Sequence, residues 1–298
     1  MYRYLLNTLS VAALLFHSLY AGDAAIEKPL VVIIPSYNNA DWLETNLFSI
    51  AMQKYSNYRV IYIDDASKDD TCQGVENWLI ENQSDYQLIN FDGSFSDDIP
   101  EVTAKFGELV NHEKHRYTIV KNTQRCGALC NLYRAIQSCH DDEIIVTVDG
   151  DDWLYLDTVL SDLNRVYSTQ DIWLTHGSLI EYPLWLIIWS EAIPTDIIAK
   201  NAFREFKCPS HLRTFYTWLF KKIRLEDLLY EGKFFVMTWD MAIMYPMIEM
   251  AGSRHAFISD INYVYNNGNQ LNDNKVDAEC QRQLDRYIRA MPPYEKLK

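Results

Sequence analysis

Positive charge is in short supply. The 298 residues carry 27 Lys plus Arg against 41 Asp plus Glu, a formal net charge of −14. That deficit excludes non-specific nucleic-acid binding, whose affinity comes from Lys and Arg neutralising phosphates. Glycine and proline are scarce as well, at 10 and 9 residues, which excludes collagen-like and linker-like chains. Cysteine is sparse. The six thiols, Cys72, Cys126, Cys130, Cys139, Cys208 and Cys280, form no CxxC pair and match no zinc spacing. They leave open one or two bridges in an oxidising compartment, or buried free thiols. No apolar run reaches the ~20 residues that span a bilayer comfortably. What is present is apolar mass: 48% of the chain is hydrophobic, enough to bury a core, so disorder is excluded.

The N-terminus has the layout of a secretory signal peptide over residues 1–22. Arg3 precedes the mostly apolar stretch Leu5–Phe16, and small residues follow at Ala21, Gly22, Ala24 and Ala25. An uncleaved N-terminal anchor and an ordinary N-terminal helix are the alternatives, and only the anchor implies membrane contact. The signal reading predicts the secretory-pathway lumen, or an exported or periplasmic location, and the anchor reading a membrane-anchored one. The apolar Trp185–Trp189 region is bracketed by Glu181, Pro183, Glu191 and Pro194 and reads as a buried segment rather than a span.

Beyond residue 28 strands and helices alternate. Leu30–Ile34 is a β-branched run ending at Pro35. Asp41 is placed to cap a helix with Trp42, Leu47, Ile50 and Ala51 on one face. Arg59–Ile63 predicts a second strand, and Ser67 with Asp70 resembles a capping box before a helix through Val75, Trp78 and Leu79. Residues 84–115 are polar and weakly periodic and read as an inserted loop region. Arg116–Val120 predicts a strand, Gly127–Ser138 a helix, and Ile144–Val148 a central strand buried on both faces. A helix over Asp157–Tyr167 and a strand over Ile172–Thr175 follow. This alternation predicts an α/β fold with a largely parallel sheet. Val276–Ala290 carries Leu284 and Ile288 at helical spacing and reads as a closing helix.

Ligands of open parallel sheets bind beyond the carboxyl ends of the strands. Four such ends carry polar groups: Pro35-Ser36-Tyr37-Asn38-Asn39, Asp64-Asp65-Ala66-Ser67, Asn122-Thr123-Gln124-Arg125 and Asp149-Gly150-Asp151-Asp152. Taken singly, each has an ordinary explanation. The acidic run is also a turn with a helix cap, Asp64-Asp65 a strand-end turn, Tyr37 an aromatic and Arg125 a surface charge. Their convergence on one edge says more than any of them. Three carboxylates within four residues repel one another, and a divalent cation such as Mg²⁺ or Mn²⁺ relieves this.

Four segments, Val31–Asn38 (VVIIPSYN), Val60–Thr71 (VIYIDDASKDDT), Asn122–Ile136 (NTQRCGALCNLYRAI) and Ile145–Leu154 (IVTVDGDDWL), have the order and spacing of family 2 glycosyltransferases with the GT-A fold. The chain resembles that family strongly over 28–178, and more weakly in His211–Phe220 and Trp239–Gly252. The resemblance implies a Rossmann-like, mostly parallel sheet flanked by helices over 28–178, binding the nucleotide-sugar. It also implies an acceptor-binding region over 179–298. The implied activity is inverting transfer of a sugar, most often from a UDP-linked donor, to a glycan, glycoprotein or lipid-linked acceptor, with Mn²⁺ or Mg²⁺ as cofactor.

By the same resemblance, Pro35 and Tyr37 flank the donor base, Asp65 hydrogen-bonds its edge and Arg125 reaches base or diphosphate. Asp149 and Asp151 match the DxD carboxylates and are the expected metal ligands, with Asp149 and Asp152 also serving the donor. Asp240 in Thr238-Trp239-Asp240 matches the general base, although Trp239 stands where the family often has Glu. Glu249 is a distant second for that role. His211 is expected at the diphosphate or metal, with a hydrogen-bonded structural His as the alternative; Arg213 binds phosphate or a local carboxylate. His176 is expected on the cleft floor and Trp153 in core packing. A non-catalytic nucleotide- or carbohydrate-binding protein retaining the fold is the competing reading. A nucleotidyltransferase is disfavoured, because Pro35–Asn39 contains neither Gly nor Lys.

Overall fold

A computed structural model describes residues 27–93, 98–110, 114–188 and 190–298. The signal-peptide reading of 1–22 and Trp189 lie outside them.

Twelve strands occur among the described residues: β1 (Leu30–Ser36), β2 (Tyr58–Asp64), β3 (Tyr86–Phe91), β4 (Tyr117–Asn122), β5 (Ile144–Thr147), β6 (Trp153–Leu154), β7 (Leu174–Tyr182), β8 (Leu186–Ile188), β9 (Thr214–Tyr216), β10 (Leu229–Tyr230), β11 (Lys233–Phe234) and β12 (His255–Asn266). Ten form one sheet in the order β3-β4-β2-β1-β5-β9-β7-β12-β6, with β8 on β7, and β10 pairs with β11. From β3 to β5 all pairs are parallel. β9 then runs antiparallel to both β5 and β7. Strands from both halves of the chain therefore share one sheet.

β1 reads as a continuous apolar run because helices cover both its faces. Leu30, Val32 and Ile34 pack with Leu47, Leu79 and Leu163, from the helices Leu43–Ala51, Thr71–Glu81 and Val159–Thr169. Val31 and Ile33 pack on the other side, in a cluster holding Phe106, Leu132, Met244 and Leu284. Leu284 and Ile288 are both buried, so the closing helix Ala278–Ala290 docks on the domain. No helix among the described residues is long and apolar enough to cross a membrane.

Several local expectations are corrected. Residues 84–115 are not a loop insertion: they supply edge strand β3 and the helix Ile99–Leu109. β3 is half-exposed over most of its length, which dilutes its alternation. The helix buries only Val102, Thr103 and Phe106, a stripe too narrow to stand out among charges. The capping box does not form. Ser67 Oγ instead accepts from the Asn38 N–H at 2.9 Å, and the helix begins at Thr71. Nor does Asp41 cap its helix, whose N-cap position is Trp42 with no side-chain bond. The strand expected over Ile172–Thr175 begins at Leu174 and runs to Tyr182, extended by pairing with β12 and β8. Leu184–Ile188 is not buried: it forms an exposed hairpin edge on β7. All six cysteines are free thiols, four of them buried.

Candidate active site

The parallel strands β1, β2, β4 and β5 end along one edge, and their loops are sewn together there. Asn38, at φ 54°, turns the chain after β1. Its side-chain oxygen accepts from the Lys68 N–H at 2.8 Å, and the Asn39 N–H donates to Thr71 Oγ1 at 2.8 Å. The Asp65 carboxylate accepts from the N–H groups of Cys126 and Gly127, both at 2.8 Å, and from Asn122 Nδ2 at 3.0 Å. It thereby pins the start of the helix Ala128–Ser138 to the end of β2. Asp65 is buried and stands behind the cleft wall, while Arg125 reaches the surface that it anchors. The Arg125 guanidinium lies 3.8 Å from the centroid of the Tyr37 ring, an attractive cation–π geometry.

The acidic turn sits at the centre. Gly150 is required by close approach, since a Cβ there would fall 2.5 Å from Ser36 Oγ and 2.6 Å from Asn39 Nδ2. Asn46 Nδ2 holds the turn from below through the carbonyls of Asp149 (3.0 Å) and Asp152 (2.7 Å). Asp152 is buried and accepts from the Tyr263 hydroxyl and the Asn266 N–H, each at 2.7 Å. Burial, followed by repulsion from Asp151 and Asp149, pushes its carboxyl well above the ordinary range. Asp151 is also raised by burial, and its Oδ2 accepts from Asn269 Nδ2 at 2.7 Å.

His211 stacks on Tyr263 with 4.3 Å between ring centroids. Burial and then the neighbouring Arg213 hold its pKa far below the usual histidine value, so it is neutral and able to ligate. One ligand atom each from Asp149, Asp152 and His211 lie within 4.8 Å of one another. Two carboxylate oxygens and a neutral imidazole fit a divalent cation, and the repulsion that raises Asp152 is what a cation relieves. The metal pair implied by resemblance was Asp149 with Asp151. The geometry brings Asp149 together with Asp152 and His211, while Asp151 lines the same cleft and is held by Asn269.

Asp240 lies in the first turn of the helix Trp239–Ala251, where the helix dipole favours a carboxylate. Arg213 Nη2 donates to its Oδ2 at 2.7 Å.

These residues surround a cleft of about 290 Å³ lined by Pro35, Tyr37, Arg125, Asp149, Asp151, Asp152, His211, Arg213 and Asp240, among others. Of the site residues expected from sequence, Asp65, Glu249 and His176 are not on its wall. Glu249 is elsewhere, fully buried and paired with Arg204 at 2.6 Å. His176 is buried beside His255 and Phe257 and is not on the cleft floor. Trp153 packs against Tyr182. Sequence reasoning missed Tyr263, Asn266 and Asn269, which hold the acidic turn, and Asn272 and Gln281, which close the cleft from the C-terminal side. Only the amide-rich run Asn266–Asn274 offered a signal.

Residues 31–91 match the model of Glycosyl transferase family 2. No curated protein matches the chain by sequence. Solved structures do match. S. aureus TarS 1–349 in complex with UDP is 16% identical, with TM-score 0.54, over 80% of this chain and 60% of that one. The mannosyltransferase PcManGT from Pyrobaculum calidifontis, in complex with GDP-Man and Mn²⁺, is 18% identical, with TM-score 0.52, over 82% of this chain and 59% of that one. The chain thus spans about 60% of the TarS chain that it matches. The fold is the GT-A fold of glycosyltransferases. Within it, the stretch from β1 through β3 carries the family 2 match.

Proposed function

We propose that the protein is an inverting, metal-dependent glycosyltransferase that moves a sugar from a nucleotide-diphosphate donor, a UDP-sugar, to the hydroxyl of a glycan, glycoprotein or lipid-linked acceptor. One observation carries this reading. Pro35, Tyr37, Arg125, the acidic turn 149–152, His211 and Asp240, scattered over 200 positions, line one cleft at the carboxyl edge of the sheet. The family 2 match and the donors bound by the matched structures support it. A secretory-pathway or exported location belongs to the same proposal and rests on the sequence of residues 1–22 alone.

In this reading Tyr37 and Arg125 receive the nucleoside end of the donor, with Pro35 beside them, and Asp65 holds the loop carrying Arg125. Asp149, Asp152 and His211 are the residues that would hold Mn²⁺ or Mg²⁺, which supplies Lewis-acid stabilisation of the leaving diphosphate. Arg213 is paired with Asp240 and orients that carboxylate beside the proposed metal ligands. Asp240 takes the proton from the acceptor hydroxyl as its oxygen bonds to the anomeric carbon. The sugar–phosphate bond breaks on the opposite face, the electron pair leaves with the diphosphate, and the configuration inverts.

Calorimetry of UDP binding with and without Mn²⁺ tests the site. Asp149→Ala and His211→Ala should each weaken Mn²⁺-dependent binding by at least about tenfold, the loss of one charged ligand interaction. Unchanged metal-dependent affinity in both would refute the metal assignment. A panel of nucleotide sugars that leaves the melting temperature unmoved would overturn the donor reading, since a ligand that binds only the folded state raises apparent stability.

A further inference from the structure

The parallel strands have a second end. Opposite the cleft, the N-terminal ends of β1, β2 and β4 and the turn before β5 line an open cavity of about 380 Å³. Arg59, Lys114, His115, Arg116 and His140 line it, against a single carboxylate, Glu143. In a chain with 41 acidic and 27 basic residues, this reverses the overall balance.

The carboxylate is already neutralised. Arg59 grips Glu143 with two bonds of 2.9 and 2.8 Å, and the His140 N–H donates to it at 2.7 Å. The charge facing the cavity is therefore that of Lys114 and Arg116. Arg116 is held ready. Its guanidinium lies over the Tyr58 ring at 4.5 Å, and Nη2 donates to the Ser56 carbonyl at 3.0 Å. A planar guanidinium fixed this way presents a fork that matches phosphate oxygens in pairs. His115 is oriented by Asp85, with 2.8 Å between Nδ1 and Oδ1. Pro29 and Tyr58 add an apolar wall. The volume falls in the ~300–1,000 Å³ range of small-molecule sites, more than a bare phosphate needs.

We propose that this cavity is a second ligand site that binds a phosphate ester, with the phosphate on Lys114 and Arg116 and the organic body against Tyr58 and Pro29. The site lies at the far end of the sheet from the cleft and does not depend on the reading of that cleft. A soluble phosphate ester and a phosphorylated lipid headgroup share this chemistry, and two probes separate them.

On the full chain, calorimetry with glycerol 3-phosphate tests the soluble source. Co-sedimentation with phosphatidylcholine vesicles, with and without phosphatidic acid, tests the headgroup. Binding is expected in at least one arm. Lys114→Ala/Arg116→Ala should weaken it by at least about tenfold, and Asp149→Ala should leave it unchanged. Lys114→Glu, at an exposed position, is a second variant that keeps the fold and should weaken binding similarly. No binding in either arm, binding that survives both charge variants, or binding lost in Asp149→Ala would each overturn the proposal.

Discussion

Arg213 and Asp240 form a short ion pair at the mouth of the cleft, Nη2 to Oδ2 at 2.7 Å, although 27 residues separate them. The guanidinium is buried. It also reaches the Pro209 carbonyl at 3.2 Å and lies 3.3 Å from His211 Nδ1. One side chain therefore links the proposed base to the proposed metal site and sets the direction in which the Asp240 carboxylate points. Asp240→Asn keeps the shape and can still accept from Arg213, but it has no base. It should bind donor normally and lose roughly 10²–10⁴-fold in transfer rate, the usual worth of a positioned general base. Near-normal turnover, measured by release of the nucleoside diphosphate, would remove Asp240 from that role.

Gly150 lets the acidic turn rest directly on the loop after β1. Gly150→Ala puts a methyl group 2.5 Å from Ser36 Oγ and 2.6 Å from Asn39 Nδ2. Ser36 Oγ also accepts from the Tyr62 hydroxyl at 2.8 Å, so it is not free to swing away. Overpacking of this kind costs about 1–3 kcal/mol. Chemical denaturation should show that loss, together with weakened donor binding, because Tyr37 lies on the displaced loop. A variant with wild-type stability and affinity would mean that the two loops separate freely.

His176 is buried on β7, and neither ring nitrogen has a hydrogen-bond partner among the described residues. Burial, and then His255, pull its pKa down to about 3. The unfolded chain binds a proton near pH 6.5 and the folded chain does not, so this group removes stability as the pH falls from about 6.5 towards 3. The slope is ~1.4 kcal/mol per pH unit, about 2 kcal/mol by pH 5. His176→Leu should flatten that limb by this amount when the pH dependence of unfolding is compared with wild type. Parallel curves would show that His176 is protonated in the fold.

Glu249 was the second candidate for a base, and its surroundings assign it a different task. It is fully buried, with Oε1 and Oε2 bound by Arg204 at 2.6 and 3.0 Å, and it accepts from the Tyr294 N–H at 2.9 Å. Removing one member of a buried pair strands the other charge at a cost of about 3–5 kcal/mol. Glu249→Gln should lower stability on that scale by denaturant titration and leave the turnover of the folded fraction intact. Lost turnover at unchanged stability would reverse this assignment.

Alternation of apolar runs with periodic helices was enough to predict a parallel α/β sheet, because strands buried on both faces must be apolar throughout, as Leu30–Ile34 and Ile144–Val148 are. The polar groups at the strand ends were legible for a related reason: chain order alone delivers them to one edge. Edge strand β3 and its helix were not legible, since half-exposed elements carry little periodic signal. Neither were the hydroxyl of Tyr263 on Asp152, the amide of Asn269 on Asp151, or the approach of His211 to Asp149 and Asp152. Those depend on how β12 and the turn that follows it, more than 110 residues later, lie against the acidic turn. Residue type and order along the chain therefore determined the sheet and the chemical inventory of its edge. Long-range packing alone decided which side chain holds each carboxylate and which of them meet His211, because distances of 3 Å between side chains are set by the fold and not by spacing in sequence.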